Sequence, residues 1–130
     1  MKNGKAVVLV VEDSAIIRMS AVELVLSAGY EGLEASNADE AIRILESRSD
    51  IDLVFTDVQM PGTMDGIKLC HFIRDRWPPV KLLVASGNAI LEESSLPGGS
   101  QFFAKPYDDH AITNAMARLL AGGTSDGSAG

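Results

Sequence analysis

The sequence predicts an α/β fold in which a parallel sheet of five strands is covered by helices on both faces. Short runs of apolar β-forming residues alternate with segments whose apolar residues recur at helical spacing. The chain has 130 residues, of which 46% are hydrophobic and few are aromatic (four Phe, two Tyr and one Trp). This composition is typical of one domain with an aliphatic core.

Five segments are predicted as strands, and each is followed by polar, Gly or Pro residues. The predicted strands cover residues 6–11, 30–35, 51–57, 80–85 and 101–104. The second strand is expected to be the weakest because Gly32 interrupts it. The third contains the run Leu-Val-Phe and is expected to be buried on both faces.

Four helices are predicted to begin at polar residues suited to helix starts, namely Ser14, Asn37, Asp65 and Asp108. Glu40, three residues after Asn37, completes a capping-box pattern. A further helix over 88–95 is expected to be short or irregular, because Leu96-Pro97-Gly98-Gly99 interrupts it. We expect a folded domain over 1–121 and a disordered tail over 122–130, which is rich in Gly and Ser.

The predicted strand order brings acidic residues together. Strands that alternate with helices pair in parallel through right-handed crossovers, and five such units fit a flavodoxin-like, doubly wound sheet of order 2-1-3-4-5. The first and third strands are then neighbours, with their carboxyl ends where open α/β sheets bind ligands. Glu12 and Asp13 follow the first strand and Asp57 ends the third, so three carboxylates should converge.

Three converging carboxylates repel one another. Two unit charges about 5 Å apart in an effective dielectric near 20 cost roughly 3 kcal/mol. A divalent cation relieves this repulsion, and oxygen ligands suit Mg²⁺ or Mn²⁺. Because Mg²⁺ commonly bridges carboxylates to phosphate oxygens, the cluster predicts phosphoryl chemistry.

Two further strand ends carry groups suited to a phosphoryl group. Ser86 follows the fourth predicted strand and offers a hydroxyl donor, and Lys105 follows the fifth and offers a positive charge. Either residue alone would be read as an ordinary loop residue. With Asp57 as the nucleophile, the whole set predicts formation of an aspartyl phosphate.

The sequence resembles the receiver domain of response regulators of two-component signalling over essentially all of residues 5–121. The likeness lies in the segments Val-Leu-Val-Val-Glu-Asp-Ser, Asp-Leu-Val-Phe-Thr-Asp-Val-Gln-Met-Pro, Met-Asp-Gly, Val-Ala-Ser-Gly and Phe-Phe-Ala-Lys-Pro-Tyr. The resemblance implies that Asp57 is the phosphoacceptor. It also implies that Glu12, Asp13 and Asp57 hold Mg²⁺ or Mn²⁺ together with the backbone carbonyl of Gln59.

The resemblance implies a switch built from the remaining site residues. Ser86 takes the hydroxyl position of the family, Lys105 takes its lysine position, and Lys105–Pro106 takes its cis peptide bond. Phe102, three residues before Lys105, takes the aromatic switch position. A sensor histidine kinase or histidine phosphotransfer protein would donate a phosphoryl group from phosphohistidine to Asp57. The phosphate would then draw in Ser86 and move Phe102 inward, and slow self-dephosphorylation would reset the switch.

Two departures from the family pattern affect the expected output surface. The loop at 61–64 holds one more residue than the usual Met-Pro-x-Met-Asp-Gly, and the interval from Ser86 to Lys105 is slightly short. The chain ends soon after its last helix, so we expect a stand-alone receiver that acts through contacts with another protein. Homodimerisation is left open.

Composition excludes some partners and compartments. The formal net charge of −7 argues against direct nucleic-acid binding. The single Cys70 permits no internal disulfide, and the apolar run at 6–11 is too short for a signal peptide or a membrane span. We therefore expect a soluble cytoplasmic protein.

Two other functions remain as alternatives. A phosphatase with an aspartyl nucleophile would carry a second Asp two residues later, where this chain has Gln59. A non-phosphorylated pseudo-receiver would only bind partners, but it would have no reason to keep a repelling acid cluster. Steady turnover of a small phosphate ester would favour the phosphatase, and failure to accept a phosphoryl group would favour the pseudo-receiver.

Overall fold

A computed structural model describes residues 4–59, 64–87 and 95–125 of the chain. These residues form β1 (Val7–Val11), α1 (Ala15–Ser27), β2 (Glu31–Ala35), α2 (Ala38–Ser47), β3 (Leu53–Asp57), α3 (Gly66–Arg76), β4 (Lys81–Ser86), β5 (Gln101–Ala104) and α4 (Asp109–Ser125). The five predicted strands are all present, with limits shifted by two residues at most. None of the helices among the described residues has the length and hydropathy needed to cross a membrane.

The five strands form one parallel sheet in the order β2-β1-β3-β4-β5, which confirms the predicted flavodoxin-like topology. Val11 of β1 lies opposite Thr56 of β3, and Asp57 lies opposite Ala85 of β4. Ser86, in turn, pairs with Ala104 of β5. The carboxyl ends of four neighbouring strands therefore meet at one edge of the sheet.

Helices bury both faces of the sheet. On one face, α2 and α3 pack on odd-numbered residues of β1 such as Leu9, and on the other face α1 and α4 pack on its even-numbered residues such as Val10. All residues of β1 and β3 are buried, which is why β1 and residues 53–55 of β3 are apolar without alternation. β2 lies at the edge and remains partly exposed, as its weaker pattern predicts.

The predicted helix starts are confirmed, since each capping side chain accepts a backbone hydrogen bond. The donors are the amides of Ile17 for Ser14, Glu40 for Asn37, Lys68 for Asp65 and Ala111 for Asp108. The capping box at α2 differs in one detail. The Glu40 carboxylate accepts from the amide and hydroxyl of Ser36, at 2.7 and 2.8 Å, one residue before the cap. These two bonds hold the pKa of Glu40 below its ordinary value.

The last helix is longer than the sequence predicts. α4 continues to Ser125, whereas a disordered tail was expected from residue 122. Packing of Ile112 and Met116 against the sheet nucleates this helix, and each further residue then adds one hydrogen bond. The tail residues 126–130, and nearly all of the short helix predicted over 88–95, lie outside the residues that the structure describes.

The segment before β5 is held against α3 by two side chains one helical turn apart. His71 Nε2 lies 2.6 Å from the carbonyl oxygen of Ser95, and Arg74 donates to the carbonyl oxygen of Gly98. Gly99 follows with a φ of +87°, which favours glycine. The start of β5 is thereby tied to α3 on this face of the sheet.

Candidate functional site

The sequence-predicted acids meet at the carboxyl edge of the sheet. Glu12 and Asp13 follow β1, and Asp57 is the last residue of β3, its neighbour. One carboxylate oxygen from each of the three lies within 4.8 Å of the others. Glu12 and Asp57 are buried, whereas Asp13 is exposed, so the cluster opens to solvent on one side.

The start of α3 packs directly against the backbone of the β3 end. The Gly66 amide donates to the carbonyl oxygen of Val58 at 2.8 Å, and the Val58 amide donates to Ala85 at 3.2 Å. A Cβ atom at Gly66 would lie 2.2 Å from the carbonyl oxygen of Asp57. Only glycine permits this approach, and it fixes the chain that leads from Asp57 to Gln59.

Lys105 lies beside the acids. Its Nζ is 3.0 Å from Asp57 Oδ1 and 3.7 Å from Glu12 Oε1. Its amide donates to the carbonyl oxygen of Ser86 at 2.9 Å, and the Lys105–Pro106 peptide bond is cis, as the resemblance implies. Burial lowers the pKa of Lys105, but the hydrogen bond and charge of Asp57 outweigh burial and raise it. The ammonium therefore stays charged at neutral pH.

Glu12 is held firmly despite its charge. Its side chain is buried, and Oε2 accepts the Ser14 amide at 3.1 Å. Burial raises the pKa of Glu12, with a further rise from the Asp57 charge and opposition from the Ser14 amide and Lys105. The fold therefore holds a carboxylate whose charged form is disfavoured by burial and by the neighbouring charge of Asp57.

The donor set fits a hard divalent cation. Three carboxylates face the single ammonium of Lys105 among the described residues, so negative charge is in excess. Carboxylate and carbonyl oxygens are the ligands that Mg²⁺ and Mn²⁺ prefer. Gln59, whose backbone carbonyl is a predicted ligand, is exposed two residues after Asp57.

Ser86 and Phe102 lie on the β4–β5 side of the site. Ser86 is fully buried at the end of β4. Phe102 pairs with Val84 in the sheet, is partly buried, and packs on the apolar cluster that also includes Leu96. The two predicted switch residues are therefore on the adjacent strands β4 and β5, and Lys105 follows β5 directly.

Tyr107 and Arg18 border the site but were given no role from the sequence. The ring of Tyr107 packs against Phe55 with centroids 5.9 Å apart, and burial raises the pKa of its phenol. Tyr107, Ile17 and Lys105 line a small cavity together with Asp57. Arg18 of α1 donates to the carbonyl oxygen of Glu12. Tyr107 belongs to the family-like segment Phe-Phe-Ala-Lys-Pro-Tyr, but no comparable signal marks Arg18.

Comparison with curated proteins points to one family. The sequence profile of the response regulator receiver domain matches residues 8–117. Sporulation initiation phosphotransferase F of Bacillus subtilis is 32% identical over 92% of this chain and 96% of its own length. The response regulator protein FleR of Pseudomonas aeruginosa is 35% identical over 90% of this chain. The chain spans 25% of FleR and less than half of two other relatives, sensor kinase CckA of Brucella abortus and YrkP of Bacillus subtilis.

Solved structures lead to the same family. A CheY-like response regulator receiver domain protein from Methanospirillum hungatei superposes with a TM-score of 0.86 at 25% identity, covering 95% of this chain and all of that chain. Response regulator protein TrrA from Thermotoga maritima, solved in complex with Mg²⁺-BeF, gives a TM-score of 0.77 at 25% identity, covering 88% of this chain and 99% of that chain. The chain belongs to the response regulator receiver domain family.

Proposed function

We propose that this receiver accepts a phosphoryl group on Asp57 from a phosphohistidine of a sensor histidine kinase or histidine phosphotransfer protein. The observation that carries the proposal is the contact of Asp57 Oδ1 with Lys105 Nζ at 3.0 Å inside a cluster of three carboxylates. One edge of the sheet then carries a buried nucleophile, a cation for the phosphoryl oxygens and a set of metal ligands.

The proposed transfer exchanges one bond for another. A carboxylate oxygen of Asp57 attacks phosphorus, the new O–P bond forms, and the N–P bond of the donor phosphohistidine breaks. The electron pair of the broken bond stays on the imidazole nitrogen, which takes up a proton and leaves as neutral histidine. The product is the mixed anhydride of Asp57 with phosphate, and water later hydrolyses it to restore the carboxylate.

The charges of the site suit this chemistry. Glu12, Asp13, Asp57 and the Gln59 carbonyl would hold Mg²⁺, which supplies positive charge for phosphoryl oxygens and relieves the repulsion among the acids. The ammonium of Lys105, already within hydrogen-bond distance of Asp57, would bind a phosphoryl oxygen once the carboxylate is phosphorylated. Its position then depends on whether Asp57 carries phosphate.

The exposed face of α1 supports docking of a protein donor beside the site. The four large apolar side chains that stand out as exposed among the described residues, Ile16, Ile17, Met19 and Leu26, all lie on α1. Ile16 is 80% exposed, and Ile17 lines the same small cavity as Asp57. Several exposed large apolar side chains on one helix are typical of a protein interface. We infer that the donor packs on α1 and presents its phosphohistidine to Asp57.

The output of the proposed reaction is a change in protein contacts. Ser86 is the last residue of β4, the strand next to β3. Phe102 of β5 pairs with Val84, two residues before Ser86. A phosphate on Asp57 would draw the Ser86 hydroxyl and Lys105 toward its oxygens. Because Phe102 is only partly buried, an inward movement of its ring would increase its burial and change the surface around β5.

Incubation with Mg²⁺ and acetyl phosphate tests the acceptor directly. We expect intact-protein mass spectrometry to show a gain of one phosphoryl group in the wild type and none in Asp57→Asn. Removal of Mg²⁺ by a chelator should abolish the gain in the wild type. A wild-type protein that gains no mass at saturating acetyl phosphate would refute the proposal.

A second experiment tests the protein donor. Ile16→Glu should strongly slow phosphoryl transfer from a purified phosphorylated kinase while leaving phosphorylation by acetyl phosphate unchanged. The small donor serves as the control because it needs no docking surface. Equal slowing with both donors would place the defect at Asp57 and contradict docking on α1.

A further inference from the structure

Arg18, on α1, makes two directed hydrogen bonds at the edge of the acid cluster. Its Nη1 donates to the backbone carbonyl oxygen of Glu12 at 2.8 Å, and its Nε donates to Glu34 Oε1 at 2.9 Å. The Arg18 side chain is 19% exposed, so most of it is covered by protein. It therefore links the turn after β1 to β2.

The carbonyl that Arg18 binds belongs to the peptide group between Glu12 and Asp13. That group is planar, so fixing its oxygen fixes the amide of Asp13 as well. The other side of Glu12 is already held, because its amide donates to the carbonyl oxygen of Ala35 at 3.0 Å. Its carboxylate accepts the Ser14 amide at 3.1 Å. Arg18 supplies the remaining constraint on the turn that carries both acids.

The shape of the Arg18 side chain matters more than its charge. A guanidinium is a rigid fork that can donate to two acceptors at fixed angles, whereas a lysine ammonium is a single flexible point. The Glu34 carboxylate binds the Nε side of the guanidinium and leaves Nη1 directed at Glu12. A positive charge next to a cation site, by contrast, would by itself weaken binding of the cation.

We propose that Arg18 is a positioning residue that orients the Glu12–Asp13 peptide and so sets the affinity of the acid cluster for Mg²⁺. The inference rests on the proposed function, because it assumes that these acids hold the metal. It assigns Arg18 no contact with the phosphoryl group. Groups that orient metal ligands typically change metal affinity by about 10–100-fold when removed.

Calorimetric titration of the full chain with Mg²⁺ tests the proposal. Relative to wild type, we expect Arg18→Ala to raise the Mg²⁺ dissociation constant about tenfold or more. Arg18→Lys keeps the charge but replaces the rigid fork with one flexible ammonium, so it should also weaken binding, by about threefold or more. Arg76→Ala is the matched control, since it removes one arginine from an exposed pair with Glu46 and should change the constant by less than about twofold.

The direction of the change separates positioning from charge. If Arg18 acts only through its charge, Arg18→Ala will bind Mg²⁺ more tightly than wild type. Unchanged or tighter binding in Arg18→Ala would overturn the proposal. If Arg18→Ala fails to fold, the Mg²⁺ dissociation constant of Arg18→Lys alone tests the proposal. A constant equal to that of the wild type would then contradict it.

Phosphorylation by acetyl phosphate gives a second readout. In the Arg18 variants, the Mg²⁺ concentration for half-maximal phosphorylation should rise while the rate at saturating Mg²⁺ stays close to wild type. A lower plateau with an unchanged half-saturation point would indicate general damage and contradict positioning. Failure of the wild type itself to bind Mg²⁺ and gain a phosphoryl group would instead refute the proposed function.

Discussion

Gly66 is where α3 meets the backbone of the candidate phosphoacceptor, and Gly66→Ala should strain that contact. A Cβ atom there would lie 2.2 Å from the Asp57 carbonyl oxygen and 2.7 Å from Val58 Cα. Favourable contacts between carbon atoms lie at about 3.5 Å or more, so the backbone has to move by about 1 Å. No side-chain rotation relieves the clash, because both contacted atoms are backbone atoms. The Asp57 carbonyl is also held by the Thr56 hydroxyl at 2.9 Å.

The expected cost follows from two opposing effects. Overpacking in a well-packed region typically costs about 1–3 kcal/mol. A glycine-to-alanine change without strain would stabilise by about 0.4–1 kcal/mol through the unfolded state. Because the Gly66 clash is between backbone atoms, we take the upper end of the cost and expect Gly66→Ala to lower the free energy of unfolding by about 2 kcal/mol. Phosphorylation of Asp57 should also slow, since α3 moves away from the site.

Urea denaturation followed by the fluorescence of Trp77 measures the effect. Gly98→Ala is the control, because a Cβ atom at Gly98 would meet nothing within 4 Å. That variant should be as stable as wild type or slightly more stable. If Gly66→Ala and Gly98→Ala have equal free energies of unfolding, the packing of α3 on the Asp57 backbone does not constrain the site as we describe.

Three further predictions follow from single side chains. Lys105→Ala should retain Mg²⁺ binding and phosphorylation of Asp57 but lose the conformational response, measured as amide chemical-shift changes on phosphorylation; a wild-type response would contradict its switch role. The amide and hydroxyl of Ser36 lower the pKa of Glu40 from its ordinary value of 4.5. The ionised Glu40 carboxylate therefore stabilises the folded state above pH 4.5, and this stabilisation is lost as the pH falls through the lower pKa that Glu40 has in the folded protein. Glu40→Gln should therefore unfold more easily at pH 7, by about 0.5–1 kcal/mol, with the difference closing in acid; a difference that is the same at every pH would count against this account. Burial raises the pKa of Cys70 to about 12. This thiol should therefore not react with a thiol reagent at pH 8 until urea unfolds the chain. Rapid labelling of Cys70 in the folded protein would contradict its burial.

Most of the fold is predictable because its signals are local. β1 and residues 53–55 of β3 are apolar at every position because both faces of the sheet are covered, and the capping residues bond as their sequence positions predict. The end of α4 was predicted less well. Gly122 reads as a helix stop, yet the helix continues to Ser125, because a helix anchored by tertiary packing extends more easily than local propensity suggests.

The convergence of the acids was predictable from topology. Once β1 and β3 are neighbours, Glu12 and Asp57 must approach each other, and the structure brings them together with Asp13. Lys105 follows β5, which lies two strands away from β3. Its contact with Asp57 was predicted from the family pattern in the sequence and not from the spacing of the residues.

The contacts of Arg18 and Gly66 were not predictable in the same way. The bond from Arg18 to Glu12 depends on the angle at which α1 leaves the sheet and on Glu34 from another strand. The approach of Gly66 to Asp57 depends on how closely α3 packs on β3. Such distances are set by tertiary packing, and the periodicity of one segment carries no information about them.

Chemical mapping of the phosphoryl group tests the central claim most directly. Borohydride reduces an acyl phosphate to an alcohol, so treatment of the phosphorylated protein should convert Asp57 to homoserine. Peptide mass spectrometry should find homoserine at position 57 in the wild type and nowhere in Asp57→Asn. Phosphate recovered on a histidine or serine, or homoserine at position 13 in place of 57, would contradict Asp57 as the phosphoacceptor.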